Sequence, residues 1–185
     1  MSEGQSASDA YNKVVERASL ENIVLTSSSF NVSHEFHAEE ENADRFIDQM
    51  ASRPHFDEHS KLLMGEVRCR VWMNKATDSV RDGEKTPGQV FGDSIFSIEA
   101  KYGVVFKMPG EHNRDTLDTF FERMAPFSTW PYFRGHVAQV AAESGIDFPI
   151  LPIKKLFHPV KSAGGYVDPD EQAQSPIEPL RSREE

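Results

Sequence analysis

Apolar and polar residues alternate most strictly between Ile95 and Met108. Phe96, Ile98, Ala100, Tyr102, Val104, Phe106 and Met108 fall on one face, with Ser97, Glu99, Lys101 and Lys107 on the other. Period two over this length predicts a strand with one face buried, and Gly103 inside it predicts a bulge or bend. A second alternation spans Leu62 to Asn74, with Gly65, Val67, Cys69, Val71 and Met73 set against Glu66, Arg68, Arg70 and Asn74. A third covers Ile23 to Phe36, with Val24, Phe30, Val32 and Phe36 as its apolar side and Ser27, Ser29, Asn31, Ser33 and Glu35 opposite. Ahead of it, Tyr11, Val14, Val15 and Ala18 recur as on one side of a short helix.

Helical spacing returns after "PGEHNRD", where Leu117, Phe120, Phe121 and Met124 share a face. Pro126 is expected to end or kink that helix. A second helix is predicted from Thr129 as N-cap, with Pro131 in its first turn, Trp130, Phe133, Val137, Val140 and Ala141 on one face, and Gly145 closing it. The apolar, proline-broken "DFPILPIKKLFHPV" is then expected to run extended over the surface. Between residues 38 and 61 the pattern is mixed: "AEEENADRFIDQM" suggests an acidic helical turn, and "ASRPHFDEHS" a loop or an edge strand limited by Pro54. "KATDSVRDGEKTPGQ" reads as a polar turn region. Residues 1–9 and 161–185 have the small, polar composition of disordered ends, which leaves 10–160 as one α+β domain.

Composition narrows the chemistry. A formal charge of −10, from 30 acidic and 20 basic side chains, argues against a nucleic-acid partner, since phosphate binding needs a basic face. Neither a targeting leader nor an apolar run of membrane-spanning length is visible. The single cysteine, Cys69, cannot form an internal disulfide, and a reducing cytoplasm is the simplest compartment. Its place on an apolar strand face favours an inert thiol over a nucleophile. No GxSxG elbow and no HExxH occur. His34 with His37 and His55 with His59 lack a convincing metal-ligand setting, so no metal and no cofactor are expected. Glu39, Glu40, Glu41 and Asp44 read as solvated surface. Aromatic residues stand out instead. Phe127, Trp130, Phe148 and Phe157 flank prolines in loops and at a helix start, where an oligomer interface or an apolar groove competes with ordinary core packing.

The stretch "FSTWPYFRGHVAQVAAESGIDFPILP" resembles the SecB family of export chaperones. Trp130, Pro131, Tyr132 and Arg134 match that family's helix start, and Phe148, Pro149, Leu151 and Pro152 match the segment after its helix. "IFSIEAKYGVVFKMPG", with Gly103 and Phe106, resembles the preceding strand, and "NIVLTSSSF" and "EVRCRVWM" match more weakly. The resemblance implies a four-stranded antiparallel sheet with a long helix packed on one face, assembled as a homotetramer, a dimer of dimers. It implies a protein without enzymatic activity that holds unfolded or pre-export polypeptides in apolar grooves without ATP. Phe96, Phe106, Phe127, Trp130, Phe148 and Phe157 are then the candidates for client contact or the adjacent interface. Export members dock the SecA motor through acidic side chains on the sheet. Here Ser27 and Asn31 replace two of those acids and Glu99 retains the third. The pattern therefore also suits a specialised SecB-like chaperone that protects one antitoxin. A small-ligand α+β enzyme of the hot-dog or cone-shaped kind is the alternative from another class, and it would need a buried Asp, Glu or His facing a closed pocket.

Overall fold

A computed structural model describes residues 11–34, 36, 43–75, 91–146, 148 and 151–153. The expected loose ends, the polar region 76–90 and Phe157 lie outside the described residues. A short helix, α1 (residues 11–17), leads into β1 (Ser19–Val32). Then follow β2 (Ala43–Ala51), β3 (His55–Asp57), β4 (Leu62–Lys75), β5 (Phe96–Lys107) and one long helix, α2 (Arg114–Ser144). The sheet is antiparallel in the order β1-β5-β4-β2, and the three-residue β3 pairs with β4 beside β2. The architecture is that of the expected α+β sheet with a helix on one face.

The strict alternations were sound guides because both strands lie inside the sheet. In β5, Phe96, Ile98, Ala100, Tyr102, Val104 and Phe106 are all buried, and the register sets them against Met73, Val71, Cys69, Val67, Gly65 and Leu63 of β4. These two apolar ladders form the floor on which α2 rests. Above Gly65 lies the ring of Phe121, and Phe120 and Phe121 meet Phe106 edge to face at centroid distances of 5.1 and 6.2 Å. Edge-to-face contact suits the ring quadrupoles and locks the first half of the helix over β4 and β5.

Five expectations need correction. The alternation in β1 slips twice, because register shifts between Leu20 and Asn22 and between Leu25 and Ser27 each insert an extra residue. Leu25 therefore shares the helix-side face with Phe30, whereas Val24 lies opposite Gly103 on the outer face. A bulge changes parity, so period-two counting fails across it. Gly103 carries no bulge of its own; the irregularity is on its partner strand. Phe36 leaves the strand altogether and is buried in a helical turn after it. Residues 43–51, inside the stretch suggestive of an acidic helical turn, form β2, whose whole length pairs with β4.

The fifth correction concerns the prolines. Pro126 and Pro131 both lie inside α2, which runs unbroken from an Asn113 N-cap, whose side chain accepts from the Thr116 N–H at 2.7 Å, to Gly145 at φ 69°. Thr129 is fully buried mid-helix rather than capping a second one. Each proline deprives a carbonyl one turn earlier of its donor, a cost that isolated helices do not bear. Tertiary burial of Phe120, Phe121, Ala125, Trp130, Phe133 and Val137 outweighs it. Next to the disturbed turn, the carbonyl of Pro126 accepts from Thr129 Oγ1 at 3.1 Å and from Gln49 Nε2 of β2 at 3.3 Å, which ties the helix to the sheet. Gly145 closes the helix as expected, with Ile146 N–H bonding back to the Ala141 carbonyl at 3.0 Å.

Candidate functional site

Helix α2 covers the sheet unevenly. It packs on β2, β4 and β5, and its second half meets β1 through His136, whose Nε2 lies 2.6 Å from Ser28 Oγ. Burial holds this imidazole below its ordinary pKa, with the nearby Glu143 carboxylate opposing the shift. The edge strand β1 stays largely uncovered: of its 14 residues only Ile23 and Val32 are even half-buried. Leu20, Val24, Leu25 and Phe30 are exposed by 41–49%. One backbone edge of this strand pairs with β5, and no strand pairs with the other among the described residues. A long edge with apolar side chains and free N–H and C=O groups is a template for another polypeptide.

The opposite face of the sheet has a different chemistry. Glu99 points there and forms an ion pair with Arg70, both carboxylate and guanidinium being about four-fifths covered. Arg70 also sits over the Phe91 ring, 4.5 Å from its centroid. Phe91 covers Trp72, which stacks on Phe46 at 5.4 Å, so this face carries a small aromatic cluster. The Trp72 indole N–H is buried with no hydrogen-bond partner. In the next rank, Lys101 approaches Glu66 at 4.0 Å. The outer face is thus of mixed sign.

The expected client residues divide by burial. Phe96, Phe106 and Trp130 are at most 3% exposed and act as packing residues of the protomer. Phe127 and Phe148 are half-buried. Phe96 and Trp130 are nevertheless linked through the segment after the helix. Phe148 stacks on Phe96 at a centroid distance of 4.9 Å, Trp130 Nε1 donates to the Pro152 carbonyl at 2.8 Å, and Arg134 Nε donates to the Leu151 carbonyl at 2.8 Å. The exposed residues of β1 were absent from the sequence-based candidates, since an isolated edge strand has the same composition as a covered one. No local signal in the strand sequence separates them from covered residues.

Between helix and sheet the described polar groups are few. Cys69 is buried 4.0 Å from Thr129 Oγ1, and Gln49 Nε2 donates to its sulfur at 3.2 Å. The Tyr102 hydroxyl is buried without a partner, and its pKa is raised by burial and by the neighbouring thiol. No cluster of three His, Cys, Asp or Glu side chains able to hold a metal occurs among the described residues. Nor is any described helix long and apolar enough to cross a membrane.

No protein-family profile and no curated protein matches the sequence. Solved structures do. The SecB-like chaperone Rv1957 of Mycobacterium tuberculosis, in complex with a ChAD peptide from the Rv1956 HigA1 antitoxin, superposes with a TM-score of 0.61 at 14% identity, over 80% of this chain and 97% of that one. A protein of unknown function from Streptococcus agalactiae aligns over 75% of this chain and 98% of that one at 13% identity, with a TM-score of only 0.31. The first likeness extends beyond the strand-and-helix motifs to most of the sheet, and it makes the fold of this chain SecB-like.

Proposed function

We propose that this protein is an ATP-independent chaperone that binds unfolded polypeptide along apolar surface. The observation that carries the proposal is β1, a 14-residue edge strand that presents Leu20, Val24, Leu25 and Phe30 beside a backbone edge that no described strand pairs. An unfolded chain offers scattered apolar side chains and free peptide groups, and this strand is complementary to both. The formal charge of −10 keeps such surface soluble. A SecB-like fold shared with a chaperone supports the same conclusion. The test is aggregation of a chemically denatured client at equimolar protein without ATP. Suppression is expected, and undiminished aggregation at a tenfold excess would overturn the proposal.

Self-association belongs to the same reading: part of the β1 edge pairs with a second copy, giving a cytoplasmic homotetramer built as a dimer of dimers. Native mass spectrometry reads the state directly. For the partner, an antitoxin is favoured over SecA. The neighbouring structure holds an antitoxin peptide. Of the three acid positions that the resemblance assigns to SecA docking, Ser27 and Asn31 carry no charge and Glu99 is paired to Arg70. Pull-down with purified SecA separates the two, and stable capture would reverse the preference.

A further inference from the structure

Among the described methionines, Met50 is the one that is mostly exposed, at 56%, whereas Met73 and Met108 are at most 2% exposed and Met64 and Met124 are half-buried. It stands near the end of β2, the edge of the sheet farthest from β1, on the same face as Phe46 and directly opposite Arg68 of β4. Side chains opposed in this way lie within reach of one another. Arg68 donates through Nη2 to the Met50 sulfur at 3.6 Å.

A thioether is a weak acceptor and leaves a guanidinium poorly satisfied. Arg68 takes part in no ion pair among the described residues, and its Nε is buried with no hydrogen-bond partner. Its neighbour on β5 is a second cation, Lys101. A charged donor therefore faces an accessible sulfur and lacks a strong acceptor. An oxygen added to that sulfur falls within ordinary hydrogen-bond distance of Nη2, and a charge-assisted bond is stronger than the one it replaces.

We propose that Met50 is a site of reversible oxidation whose sulfoxide is held by Arg68. The oxidant is a hydroperoxide. A sulfur lone pair attacks its terminal oxygen, the O–O bond breaks, and the hydroxyl proton passes to the departing oxygen, which leaves as water or an alcohol. Sulfur is oxidised to the sulfoxide and the peroxide is reduced; methionine sulfoxide reductases restore the thioether. Oxidation of a methionine ordinarily weakens its surroundings by making an apolar side chain polar. Here the new oxygen meets a waiting donor, so the modified protein is the more stable one. The site is independent of the chaperone reading, because β2 lies across the sheet from the exposed β1.

Full-length wild type, Met50→Leu and Arg68→Leu are treated, folded, with hydrogen peroxide. Mass spectrometry of peptides follows each methionine, and the thermal midpoint is read before and after at one fixed protein concentration. Met50 should oxidise about tenfold or more faster than Met73 and Met108, which react only on opening of the structure; equal rates overturn the proposal. Met50→Leu reports what oxidation of the other methionines does. Relative to that control, oxidation should raise the wild-type Tm by about 2–4 °C, as one added hydrogen bond to a charged group does in a chain of this size. Arg68→Leu should lack the rise, and the reductases should reverse it in wild type. No rise in wild type refutes the proposal whether or not the Arg68 variant folds. An equal rise in Arg68→Leu refutes the role of Arg68, and a rise that the reductases leave in place refutes its assignment to Met50.

Discussion

Replacing Gly65 with alanine tests how tightly α2 is seated. A Cβ at this position would lie 2.5 Å from Phe121 Cζ and 2.7 Å from Cε1, well inside contact distance. The ring has little freedom to yield, being fully buried and set edge-on to Phe106. Overpacking of this kind costs about 1–3 kcal/mol, offset by ~0.5–1 kcal/mol from removing a glycine within a strand. The net loss is about 1–2 kcal/mol, or a fall of about 3–6 °C in Tm for a chain of this size. Urea unfolding, followed by the fluorescence of Trp72 and Trp130 at one fixed protein concentration, measures it, since assembly would otherwise shift the midpoint. A Phe121→Leu background supplies the decisive control. Leucine loses packing on its own but vacates the space the new methyl needs, so Gly65→Ala should cost at least ~1 kcal/mol less there than in wild type. Additive losses, or a Gly65→Ala protein as stable as wild type, would refute the account of Gly65 as the seat of the helix.

Other outcomes follow from the same structure. Tyr102→Phe should be neutral or stabilising by up to about 1 kcal/mol, because the hydroxyl removed is buried without a partner; a clear drop in the urea midpoint would show that it is satisfied. His136 is held below its ordinary pKa, so the unfolded chain binds the proton more readily. Its contribution to stability is present near neutrality and is lost as pH falls below about 6.5. His136→Gln should flatten that part of the pH–stability curve, and an unchanged difference between pH 7 and pH 5.5 would contradict it. Asn113→Ala should cost ~1 kcal/mol through loss of the bond to the Thr116 N–H, read as a lower thermal midpoint with unchanged far-UV spectrum.

Much of the fold was legible in the chain. β4 and β5 declared themselves because each is paired on both edges and buried on one face, so the same force acts on every second residue. The stretch from Trp130 to Pro152 was legible as a motif, with Trp130, Arg134, Phe148 and Leu151 all finding partners in the structure, although the helix start expected at Thr129 lies in the middle of α2. What failed was local reasoning wherever a distant partner decides. Two prolines mark a break by backbone rules, yet α2 continues through both because the sheet supplies burial, which is not visible within the helix sequence.

The same division governs the candidate site. The sequence by itself determined that this chain is acidic, rich in aromatic residues and arranged as a sheet with a helix, since periodicity and composition are properties of neighbours along the chain. Only the tertiary structure decided which aromatics are surface. Phe96, Phe106 and Trp130 went into the core because α2, Phe148 and Pro152 pack on them, while Leu20, Leu25 and Phe30 remained open because β1 is the edge that the helix barely reaches. Exposure is set by what lies across the sheet, and no local pattern records it.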